Sequence, residues 1–139
     1  MNEQLAGAIL GATARVEGVV ALYLFGSHAE GRAHRDSDVD VGVLLDYAVH
    51  ATRAARFDVR VRMASALIGP LAPAEPDVVI LNDAPPTLAA HIVTLGHRLR
   101  CDAPALEHAF RRDVQLRAAD LQPFLRRTRR LKLQALAAR

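Results

Sequence analysis

Twenty-one residues, Phe25 to Leu45, read FGSHAEGRAHRDSDVDVGVLL and restrict the fold more than any other stretch of the chain. Ahead of Gly26-Ser27, the apolar run Val19–Phe25 has the length and character of a buried strand. Ten residues separate Ser27 from Asp38-Val39-Asp40, where a second strand begins. Strand side chains alternate between faces, so Asp38, Asp40, Gly42 and Leu44 share one side and Val39, Val41, Val43 and Leu45 the other. The valine side demands a core. The opposite side then offers two neighbouring carboxylates and a glycine that obstructs nothing.

That pattern carries chemistry. Adjacent carboxylates raise one another's pKa unless a cation compensates, and two Mg²⁺ ions about 3.5–4 Å apart are the usual compensation in two-metal sites. Mg²⁺ favours hard oxygen ligands, takes one or two carboxylates and completes its shell with water and phosphate. At the tip of the first strand, Gly26 lets a ligand approach the backbone, and Ser27 adds a hydroxyl and an N–H. A short helix beginning near Ala29 would aim further N–H groups at a phosphate. The plainer alternative is a hairpin-like turn with its acids in solvent. Gly-Ser and Asp-x-Asp together, with apolar strands and a polar turn between, favour a metal–nucleotide site.

The pairing of Gly26-Ser27 with Asp38-Val39-Asp40 resembles the signature of the minimal nucleotidyltransferases (MNT proteins) of the DNA polymerase β superfamily. The similarity runs past the motif, through a preceding helix, a third acidic strand at Pro76–Leu81, and a helix, short strand and helical region beyond. The resemblance implies an α/β (α+β) fold of the minimal polymerase-β-like type: a small mixed sheet flanked by helices, with a C-terminal helical region. It implies transfer of a nucleoside monophosphate from an NTP, above all ATP, to a hydroxyl. Asp38 and Asp40 would bind two Mg²⁺ ions. Asp77, on the third strand, would be the third catalytic carboxylate and metal ligand, and Gly26 and Ser27 would hold the β- and γ-phosphates. Ser37, directly before Asp38, is placed to orient a carboxylate or cap the turn and joins the nucleotide-binding set. Relatives often read Ala-Arg-Gly where this chain has Ala29-Glu30-Gly31, with Arg32 displaced by two, so Arg32 or Arg35 is the candidate triphosphate contact.

Relatives of this size are antitoxins encoded with a HEPN ribonuclease toxin, which they AMPylate on a tyrosine near its active site. Resemblance therefore implies a toxin–antitoxin enzyme with a cognate HEPN toxin as partner, in a hetero-oligomer. The alternatives are an antitoxin that masks its toxin without chemistry, or a small-molecule nucleotidyltransferase resembling the aminoglycoside-modifying enzymes. The last usually carry a larger C-terminal substrate region. RNA binding by the tail is a further option.

The rest of the chain sets bounds. At 139 residues, 51% hydrophobic and 24% charged, it is one domain's worth of globular protein. The longest apolar run is too short for a bilayer, the N-terminus lacks a secretion signal's positive start, and Cys101 is the sole cysteine, a pattern that reads as cytoplasmic. Residues 111–139 hold nine basic side chains against two acids, a net of +7, whereas residues 1–110 carry a net of −4. We divide the chain into a nucleotidyltransferase core, 1–103, and a helical extension of the same domain, 104–139.

Residues 3–16 read as a helix with Leu5, Ile9, Ala12 and Val16 on one stripe. His28 and His34 sit in the polar loop and read as solvated rather than as metal ligands. Phe57, Val59, Val61 and Met63 alternate like a strand, but the stripe Ala55, Val59, Met63, Leu67 and the Gly69-Pro70 stop favour a helix whose basic residues form its wet face. Asp77 starts the third strand and faces Asp38 and Asp40 if that strand lies beside the second. A helix opens at Pro85-Pro86 with Leu88, Ile92 and Leu95 inward, and His97–Cys101 is a short strand. The last helix, from Pro104, turns Leu106, Phe110, Val114 and Leu121 inward and is expected to break or kink at Pro123.

Overall fold

The computed structural model describes residues 2–34 and 36–137; Arg35, one of the two candidate triphosphate contacts, lies outside them. In chain order the elements are α1 (Glu3–Thr13), β1 (Val19–Phe25), β2 (Val39–Leu45), α2 (Arg53–Leu71), β3 (Pro76–Ile80), a 3₁₀ turn (Leu81–Asp83), α3 (Pro86–Leu95), β4 (His97–Cys101) and α4 (Pro104–Ala137). The strands form one mixed sheet in the order β3-β2-β1-β4, with β1 antiparallel to both its neighbours and β2 parallel to β3. A parallel pair needs a crossover, and α2 supplies it.

Both faces of the sheet are covered. On one, Leu22, Leu24, Val39, Val41, Val43 and Leu45 pack with α1 and α2 through Ile9, Val59, Met63 and Leu67. On the other, Ala21, Tyr23 and Leu44 pack with α3 and α4 through Ala89, Ile92, Val93 and Val114. The valine face of β2 is buried as its alternation demands. Gly42 differs from its reading as open space: a Cβ there would come within 2.9 Å of Ile92 Cγ2, so the glycine lets α3 close down on β2. Only the Asp38–Asp40 end of that face stays open.

Local conflicts resolve by burial. In α2 the helical stripe wins over the alternating one: Val59, Met63 and Leu67 are fully buried, whereas Phe57 is 56% exposed. Thr52 caps the helix by accepting from the Ala55 N–H, and the chain stays helical through the expected stop at Gly69-Pro70 to Leu71. One of its basic residues is not on a wet face. Arg56 is only 8% exposed and grips Asp83 with two hydrogen bonds of 2.9 Å, tying α2 to the 3₁₀ turn that follows β3.

Four other expectations shift. The first helix ends at Thr13, whose buried hydroxyl donates to the Ile9 carbonyl at 2.7 Å, rather than reaching Val16. Leu81 leaves the third strand for the 3₁₀ turn, where Asn82 bonds both the N–H and the C=O of Leu45. In α3 the inward stripe is Ala89, Ile92 and Val93, leaving Leu88 and Leu95 exposed. α4 is one helix of 34 residues that passes through Pro123. A proline inside a helix removes a hydrogen bond to the carbonyl four residues back, here that of Ala119, and this part of α4 is exposed, so water can satisfy it.

Only Glu107 and Val114 of α4 are buried; Leu106 and Leu121, expected inward, are exposed. Glu107 is the anchor. It is 5% exposed and accepts from Arg98 Nη1 at 3.0 and 3.1 Å, with Arg111 at 3.5 Å, next to the Tyr23 hydroxyl, which among the described residues has no partner in hydrogen-bond geometry. Burial alone would raise the Glu107 pKa, but Tyr23, Arg98 and Arg111 outweigh it and hold the carboxyl below its ordinary range.

Candidate active site

The site forms where β1 ends beside the start of β2. Phe25 pairs with Asp40 across the antiparallel ladder, so the next residue, Gly26, turns the chain directly over the Asp40 side chain. Gly26 has φ +74°, and a Cβ built on it would fall inside the Asp40 carboxylate. Conformation and space both require glycine here.

Beyond it the expected short helix is a single turn, closed by Glu30 N–H to Gly26 C=O at 3.1 Å and Arg32 N–H to Ser27 C=O at 3.0 Å. Among the described residues, the N–H groups of Ser27, His28 and Ala29 have no backbone acceptor. Three successive free amides beside a left-handed glycine form an anion-binding concavity.

The polar loop is fastened by residues with other assigned roles. His28 is half-buried rather than solvated, and its ring bonds the Ser37 carbonyl at 3.0 Å. The Ser37 hydroxyl accepts from the His34 N–H at 2.8 Å, so of its two expected uses the structure displays the turn cap. Arg32 lies on the surface with its guanidinium on Glu30, Nε to Oε2 at 3.0 Å. The link between His28 and Ser37 spans nine residues and had no local signal in the sequence.

The carboxylates converge through the sheet. Asp38 immediately precedes β2, Asp40 is its second residue, and Asp77, the second residue of β3, stands in register with Asp40 on the parallel neighbour. Adjacent strands lie about 4.8 Å apart. Asp40 is half-buried, and its pKa is raised first by that burial, then by the charges of Asp77 and Asp38 and a hydrogen bond with Asp77, with His28 opposing. Among the described residues, none of the three carboxylates has an ion-pair partner. Among the described residues, no three His, Cys, Asp or Glu side chains are grouped so as to hold a metal ion by themselves. Mg²⁺ does not need such a group, since phosphate and water complete its shell. All-oxygen donors, a carboxylate destabilised by like charge, and free amides next to it fit a Mg²⁺–phosphate ligand.

A site that is short of a cation on one strand and short of an anion on the adjoining turn belongs to the class of proteins that handle metal-bound nucleotides. The chain itself belongs to the Polymerase beta, Nucleotidyltransferase family, whose model matches residues 9–104. The protein adenylyltransferase MntA of Shewanella oneidensis is 37% identical over 78 residues, covering 56% of this chain and 51% of that protein. The matched segment thus spans about half the length of this curated relative. A chain in the crystal structure of a toxin–antitoxin with AMP-PNP is 25% identical, with TM-score 0.62, covering 95% of this chain and 98% of the other. The fold also matches a chain in the structure of a tri-AMPylated Shewanella oneidensis HEPN toxin in complex with MNT antitoxin, at TM-score 0.59 and 22% identity over 99% of both chains. The expected fold, a minimal nucleotidyltransferase with a small mixed sheet flanked by helices, is therefore the one observed.

Proposed function

We propose that this chain transfers AMP from Mg-ATP to a hydroxyl, that of a tyrosine, on a cognate HEPN toxin and so neutralises it as its antitoxin. The single observation that carries the reading is the register of Asp77 with Asp40, beside a glycine turn that leaves three amides free. Three similarities support it: a protein adenylyltransferase, a toxin–antitoxin structure with AMP-PNP, and the fold of an antitoxin complexed with its AMPylated HEPN toxin.

In this reading the Ser27, His28 and Ala29 amides, with the Ser27 hydroxyl, bind and orient the β- and γ-phosphates, and Gly26 keeps the backbone close. Arg32 can reach the same phosphates by leaving Glu30, an exposed pair that is cheap to break; Ser37 acts by holding the loop that precedes Asp38. Asp38 and Asp40 are the residues that would hold two Mg²⁺ ions, with Asp77 as a further ligand. When bound, Mg²⁺ supplies charge neutralisation to the triphosphate and the departing pyrophosphate. Asp77 receives the proton of the attacking hydroxyl, a bond forms from that oxygen to the α-phosphorus, and the bond from the α-phosphorus to the pyrophosphate oxygen breaks. Positioning and electrostatics do most of such catalysis. In this reading the chemistry lies in residues 1–103, with 104–139 as an extension, and the reaction runs in the cytoplasm.

The test is to incubate the protein with the HEPN toxin and α-labelled ATP with Mg²⁺. Label on the toxin, lost in the Asp38→Asn, Asp40→Asn double variant, is the expected result. A double variant that folds and still neutralises the toxin as well as the parent would establish masking instead.

A further inference from the structure

We propose that the open edge of β3 is an acceptor groove, in which an extended apolar segment of the protein substrate lies and presents its hydroxyl to Asp77. The inference rests on the adenylyltransferase reading and names where its acceptor binds. β3 is an outer strand of the sheet. Two cavities of about 240 and 280 Å³ lie along it and share Phe57, Arg60 and Val78, so they form one trough. Asp77 lines one end, and Pro85 and Leu88 line the other.

The wall of the trough is unusually greasy for a free surface. Phe57, Val61 and Ile68, all on one side of α2, are 56%, 49% and 60% exposed. Contiguous exposed apolar side chains on a monomer mark a contact surface, and this one runs up to a proposed catalytic carboxylate.

The edge itself does not invite simple strand addition. Pro76 has no N–H to offer, and the Val78 carbonyl already accepts from Arg60 Nε at 2.8 Å. Recognition therefore runs through side chains. Arg53, 80% exposed and no nearer than 4.0 Å to Asp83, which Arg56 already holds at 2.9 Å, supplies a cation at the end remote from Asp77. The substrate segment is thus apolar beside the acceptor hydroxyl and acidic several residues away. The five residues of β3 span about 16 Å, more than a small alcohol occupies. Nucleic acid would need a row of free cations, and Arg60 is already engaged with the backbone.

The experiment uses the full chain with Val61→Glu or Ile68→Glu, both exposed positions, and Leu133→Glu on the distal part of α4 as control. Toxin affinity is measured by titration and labelling by steady-state kinetics. The groove predicts at least a tenfold rise in Kd and KM for the toxin in the two α2 variants. KM for ATP should stay within about twofold of the parent, and the control should be unchanged. Parent-like toxin binding and labelling by both α2 variants overturns the groove and leaves the adenylyltransferase reading standing. Toxin that binds the parent but is never labelled sinks that reading, and the groove is then decided by the change in Kd. Failure of the parent to bind the toxin overturns both.

Discussion

At Gly26 two independent requirements meet in one residue. Its φ of +74° disfavours any side chain, and the space a Cβ would take belongs to the Asp40 carboxylate. Gly26→Ala is expected to cost about 1–3 kcal/mol of stability, the usual range for a non-glycine residue held in the left-handed region. It should also lower nucleotide affinity at least tenfold, as read by thermal unfolding and by titration with an ATP analogue. Asp40 gives a prediction of opposite sign for stability. Folding raises its pKa, so the folded chain keeps this proton to higher pH than the unfolded chain does. The penalty is absent well below the ordinary aspartate pKa of about 3.9 and grows as pH rises through the raised value. In a divalent-free buffer, Asp40→Asn should therefore raise Tm by a few degrees at neutral pH, with the gain fading on acidification, while transfer activity is lost. The shared face of Asp38 and Asp40 was legible because a strand's period of two fixes which residues line up, whereas a place for Asp77 beside them came only from the family resemblance. His28 was not legible, because its value lies in a bond to Ser37 that only the closed loop creates.

Among the elements, α4 separates into an anchored and a projecting part. Glu107 joins it to β4 through Arg98, and Val114 closes the core; beyond Val114 no described residue of the helix is buried. Truncation after Asp120 should accordingly move Tm by less than about 2 °C. Glu107→Ala should destabilise by about 1–3 kcal/mol, because it strips Arg98 and Arg111 of their partner. The Glu107 pKa is lowered by folding, so this contribution is present above the ordinary glutamate range and is lost as pH falls through the folded value. Urea unfolding of both variants at neutral and acid pH checks both statements. The helix itself was legible from its start at Pro104, but its continuity through Pro123 was not. Local sequence shows the lost hydrogen bond; only the three-dimensional setting shows that the orphan carbonyl faces water. The inward stripe of α3 was misjudged for a related reason. Gly42 and Ala89 allow close packing on residues 89, 92 and 93, and the large Leu88 is left at the groove.

Over the whole molecule, a four-stranded mixed sheet carries three acidic side chains to one open end, and α3 seals the sheet immediately beyond them. The −4 balance of residues 1–110 and the +7 of residues 111–139 divide the charge between the body bearing the site and the distal helix. The sheet order and the parallel placing of β3 beside β2 are what make Asp77 a neighbour of Asp40, and long-range pairing of this kind is fixed by the crossover through α2 rather than by any residue near Asp77. The most direct measurement is calorimetric titration of the protein with AMP-PNP, with Mg²⁺ and then with excess chelator. The account predicts saturable binding that requires Mg²⁺ and disappears in the Asp38→Asn, Asp40→Asn variant. Binding of equal strength under chelation, or no binding with Mg²⁺ present, would contradict it.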